Sequence, residues 1–91
     1  MSDIEPYQLI IMPDAKADLR KIDKATAVRI LKKMIWVAEN ASTLGHEALT
    51  GEWSGLFRWR IGDYRVIYAV DHEARTLTVG VIGHRREIYE D

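Results

Sequence analysis

The chain has 91 residues, enough for one domain with a modest core and too few for a second. Its residues are 47% hydrophobic and 30% charged, the balance of a globular domain and not of a disordered chain, and the absence of cysteine excludes disulfides, a thiolate nucleophile and cysteine metal sites. The formal net charge of −1 and a pI near 6.3 give no general attraction for nucleic acid, so any such role must lie in how charge is distributed.

The acidic start "MSDIEPY" has no apolar stretch of the kind a secretion signal carries. The strongest apolar run, "MIWVA" at 34–38, is too short to span a bilayer, so the expectation is a cytoplasmic domain with no membrane partner. No repeat, linker or low-complexity tract divides residues 1–91, which read as a single domain.

Residues 7–12, "YQLIIM", read as a short buried strand. Pro13 and Asp14 then start a helix whose Ala15, Leu19 and Ile22 recur at helical spacing. Asp23 caps a second helix reaching about Asn40, with Ala27, Val28, Ile30, Leu31, Met34, Ile35, Val37 and Ala38 as its apolar set. At about 100° per residue that set covers half the helical wheel, broad enough to lie on a sheet. After Gly45 the apolar period changes to two. The stretches "LFRWRI", "YRVIYAV" and "TLTVGVI" read as strands, joined by Gly62-Asp63 and by residues 71–75. Gly at the first loop position suits a type II′ hairpin turn. The order β-α-α-β-β-β predicts an α+β fold, its helical hairpin packed on one face of a mostly antiparallel sheet.

Charge is sorted along this order. All five lysines lie on the predicted helices, whereas six of the eight arginines follow residue 57. Arginine's planar fork suits phosphate and carboxylate better than lysine's point charge does. A two-residue turn at Gly62-Asp63 sets Arg60 directly opposite Arg65, with Arg58 on the same face. Phe57, Trp59, Ile61, Tyr64, Val66 and Tyr68 then take the other face, under the helices. Like charges opposed across strands are destabilising. Two explanations stay open: each arginine reaches its own acid, such as Asp63 or Glu87, or the group awaits a ligand anion. The closing segment "GHRREIY" adds His84, Arg85, Arg86 and Tyr89 to the same end of the chain.

The run "LTGEWSGLFRWRIGDYRVIYAV", the terminal "VIGHRREIY" and the helical "PDAKADLRKIDKATAVRILKKM" together resemble the RelE toxins of the RelE/ParE superfamily. That resemblance implies a type II toxin–antitoxin toxin: a ribosome-dependent endoribonuclease that cuts mRNA in the A site and is silenced by a RelB-like antitoxin. It implies neither cofactor nor metal, because RNA supplies its own nucleophile, the 2′-hydroxyl. In the family pattern Arg58, Arg60, Arg65 and Arg85 form the cationic site and Tyr89 is the favoured proton-transfer residue. A phenol titrates near pH 10, and surrounding arginines favour its phenolate. Several members carry lysine where this chain has Arg58 and Arg60. Arginine does not give up a proton, so His84 is the candidate donor, against the alternative that it is structural or merely exposed. The superfamily also includes ParE toxins, which inhibit DNA gyrase by binding, and a relative that only binds an antitoxin is a third reading. Trp36 falls in the polar arc of the second helix. It either folds against the loop at 42–49 or anchors the antitoxin.

Overall fold

The computed structural model describes residues 6–88. Its elements are β1 (Gln8–Ile11), α1 (Pro13–Arg20), α2 (Lys24–Glu39), β2 (Glu47–Ala48), a 3₁₀ turn at Gly51–Trp53, β3 (Phe57–Ile61), β4 (Tyr64–Asp71) and β5 (Thr76–His84). The strands form one five-stranded sheet in the order β1-β5-β4-β3-β2. Only β1 runs parallel to its neighbour, β5; the other three pairings are antiparallel. The expected α+β sandwich is present, with one strand more than the sequence predicted.

Local chemistry accounts for the element ends. Pro13 opens α1, where its missing N–H costs nothing. Asp23 caps α2 by accepting a 3.0 Å bond from the Thr26 N–H, and that bond holds its carboxyl below the usual range. At the hairpin, Gly62 has φ +57° while Asp63 stays at negative φ, the arrangement of a type II′ turn.

The core lies between the helices and one face of the sheet. Ala15 of α1 and Ile30, Met34, Val37 and Ala38 of α2 meet Ile61, Val66, Tyr68, Leu77, Val79 and Ile82. Fully burying a valine or leucine such as Val66 or Leu77 contributes about 1.5–3 kcal/mol. Facing changes once along β5. Tyr68 pairs with Val79 but Ile67 pairs with Val81, so Gly80 has no opposite residue and the register shifts there. This bulge turns Val81 and Gly83 to the face away from the helices while keeping Val79 and Ile82 in the core.

Candidate anion-binding face

The sheet face away from the helices carries the arginines. β3 and β4 pair Arg60 with Arg65, Arg58 with Ile67 and Trp59 with Val66, the register expected from the two-residue turn. Paired residues share a face, so Arg58, Arg60, Arg65 and Ile67 point together and Trp59 and Val66 point to the core.

These arginines sit in different surroundings. Arg58 is 6% exposed, and its Nη2 lies 2.7 Å from Glu47 Oε2 while Nε reaches Oε1 at 3.4 Å. Arg60 is 54% exposed and reaches the same Oε2 at 3.3 Å. Glu47 stands on β2 directly opposite Arg58, so one carboxylate serves two guanidinium groups. The hydrogen bond from Arg58 is the main cause holding the Glu47 carboxyl below its ordinary range, and Arg60 adds to it against partial desolvation. Arg65 is buried, and its Nη1 donates to the carbonyls of Gly62 and Tyr64, both at 3.0 Å. The floor of this face is apolar: Ile67 is 2% exposed. Gly83, opposite Arg65, is covered by Ile88; a Cβ there would lie 3.2 Å from both Cγ1 and Cδ1 of Ile88. The chain after β5 therefore folds back onto the arginine face.

The turn after β5 is tied to the β3–β4 hairpin. The Arg85 N–H donates to the Asp63 carbonyl at 2.7 Å, and Arg85 Nε lies 3.7 Å from Asp63 Oδ1. Arg85 is thereby set at the hairpin tip beside the Arg60–Arg65 pair, with its side chain 57% exposed. Of the acids expected to partner the hairpin arginines, Asp63 serves Arg85 and Glu87 instead accepts from the His84 N–H at 3.0 Å. Among the described residues, Glu47 is the acid that pairs with both Arg58 and Arg60.

His84 is placed differently. It pairs with Tyr64 on the helix side, its ring 5.5 Å from the Tyr64 ring, and its Nδ1 accepts from the Arg86 N–H at 3.2 Å. It orders the turn at 85–88 and does not face the arginines. Tyr89 lies outside the described residues. Trp36 is 42% exposed and meets Trp59 of β3 edge to face at 6.3 Å, with Lys33 Nζ 4.7 Å from its ring centroid. Its aromatic neighbour is thus a strand tryptophan. Among the described residues, no three histidine, aspartate or glutamate side chains come together as a metal-binding group, and no helix is long and apolar enough to cross a membrane.

Comparison with known proteins follows the same lines. Residues 9–89 match the family model described as the ParE toxin of the type II toxin–antitoxin system parDE. Toxin RelE of Mycobacterium tuberculosis is 31% identical over 90 residues, covering 98% of this chain and 92% of the relative. Toxin RelG of the same organism is 26% identical over 84 residues, covering 92% of this chain and 97% of the relative. The toxin–antitoxin complex RelBE2 of M. tuberculosis superposes with a TM-score of 0.81 at 23% identity, covering 93% of this chain and 98% of the matched one. The isolated Escherichia coli RelE toxin gives 0.70 at 20% identity, covering 86% and 83%. At those identities the structures establish a shared fold.

Proposed function

The chain belongs to the ParE toxin family of type II toxin–antitoxin systems, within the RelE/ParE superfamily, and from that premise we propose that it is a ribosome-dependent endoribonuclease. The observation that carries this reading is the arginine face: Arg60 opposite Arg65 over an apolar floor, with Arg58 beside them and Arg85 fixed at the hairpin tip. A toxin acting only through a flat protein contact has no use for like charges opposed in this way. A phosphodiester does.

The substrate is mRNA in the ribosomal A site, which places the activity in the cytoplasm. The 2′-hydroxyl loses its proton and attacks the adjacent phosphorus. The bond to the 5′-oxygen breaks, that oxygen takes a proton, and a 2′,3′-cyclic phosphate remains. Guanidinium groups stabilise the extra negative charge on the pentacoordinate phosphate, and a low-dielectric floor strengthens each contact. Tyr89 is assigned the proton transfer, with Arg58, Arg60, Arg65 and Arg85 as the cations. His84, turned to the helix side, serves the terminal turn.

The partner is a RelB-like antitoxin, with Trp36 and Lys33 as one contact. The Escherichia coli and Pyrococcus horikoshii neighbours of known structure include RelE–RelB complexes. The reading is tested by incubating the purified chain with programmed ribosomes and identifying the new 3′ ends by mass spectrometry. Cyclic phosphate ends at A-site codons support it; intact mRNA at saturating toxin refutes it.

A further inference from the structure

Glu47 presents a chemical puzzle at this face. A site meant for a phosphodiester already holds a carboxylate, and that carboxylate touches two of its cations. Arg58 is almost fully buried, while Glu47, 45% exposed, occupies its Nη2 at 2.7 Å. The same Oε2 lies within 3.3 Å of Arg60, so a single oxygen sits between two guanidinium groups as a phosphate oxygen would.

We propose that Glu47 is an internal phosphate surrogate: its carboxylate holds the Arg58 and Arg60 guanidinium groups when RNA is absent and must swing aside for a phosphodiester to reach them. The geometry allows this with little disturbance. The residue before it is anchored, since His46 bonds to both the Ala41 carbonyl (2.8 Å) and the Tyr68 hydroxyl (2.7 Å). Beyond β2, the Leu49 N–H donates to the Leu56 carbonyl at 3.0 Å. β2 therefore stays in place, and displacement needs only rotation of one half-exposed side chain. While Glu47 is docked, its single negative charge is shared between Arg58 and Arg60; once it turns to solvent, that charge no longer competes with the incoming anion for them. The device offsets part of the repulsion within the cluster in the resting protein and makes anion binding a competition.

The proposal rests on the arginine face as the RNA site, and the test separates the two. Wild type and Glu47→Gln are titrated with inorganic phosphate, following the Arg60 Nε–H resonance, and separately with a non-cleavable 2′-O-methyl oligoribonucleotide. Thermal melts check that Glu47→Gln remains folded. Removing a competitor of surface ion-pair strength should tighten phosphate binding by roughly two- to fivefold in Glu47→Gln. Unchanged or weaker phosphate binding overturns the proposal, weaker binding meaning that Glu47 positions the arginines. Tighter phosphate binding with no RNA binding by either protein upholds the surrogate and refutes the RNA reading.

Discussion

The Tyr68 hydroxyl lies 2.7 Å from His46 Nδ1, and the other ring nitrogen of His46 lies 2.8 Å from the Ala41 carbonyl. A carbonyl can only accept, so Nε2 carries a proton; in the neutral ring Nδ1 then accepts from Tyr68. One histidine thus joins the end of α2, the loop before β2 and the centre of the sheet. Burial pushes the Tyr68 phenol well above its usual value, and the Glu47 charge adds to the shift. The folded-state pKa is raised, so the stabilising difference is complete below the unfolded value near pH 10 and is lost as pH rises beyond it. Tyr68→Phe should be less stable than wild type at pH 7 by about 1–2 kcal/mol. The gap should shrink above pH 10, at up to about 1.4 kcal/mol per pH unit. Urea melts from pH 7 to 11.5 measure it. A gap that stays constant contradicts the assignment.

Arg58 and Arg60 face the same way but should separate in stability. Arg58→Ala removes a buried stem along with the main hydrogen bond to Glu47, a loss of about 1–2 kcal/mol. Arg60→Ala touches an exposed side chain and should fall within about 0.5 kcal/mol of wild type. The Glu47 carboxyl pKa, followed by NMR, should rise more in Arg58→Ala than in Arg60→Ala. Equal stability losses would show that the burial of Arg58 carries no packing.

Trp36→Ala loses one edge-to-face contact with Trp59, worth about 0.5–1.5 kcal/mol, so the fold should tolerate it. If the exposed ring anchors the antitoxin, affinity should fall by a factor of about 30 or more, the size expected for a tryptophan hot spot. Calorimetry with the cognate antitoxin decides, and unchanged affinity removes Trp36 from the interface.

The sequence was most legible where local chemistry sets geometry. The Asp23 cap, the Gly62 turn and the period of two after Gly45 were enough to place α2, the hairpin register and the Arg60–Arg65 opposition. β2 was not legible, because two residues, Glu47 and Ala48, show no alternation and their pairing with Arg58 and Phe57 depends on the path of the loop at 40–46. The acid partner of the arginines was missed with it. The parallel pairing of β1 with β5 depends on a crossover of two helices, which no local pattern reports. Gly80 was a readable signal that went unused: an isolated glycine inside a strand marks a bulge, and here it changes which of Val79 and Val81 faces the core. Trp36 was correctly seen as outside the core, but its neighbour, Trp59, comes from a strand far away in sequence.

The most direct test of the central claim is primer extension on a reporter mRNA in cells induced for wild type, Arg85→Ala or Tyr89→Phe. The account predicts cuts within translated codons for wild type that fade in both variants. Growth arrest with intact mRNA in all three would contradict it and point to a gyrase-type target, while neither arrest nor cuts would leave an antitoxin-binding relative.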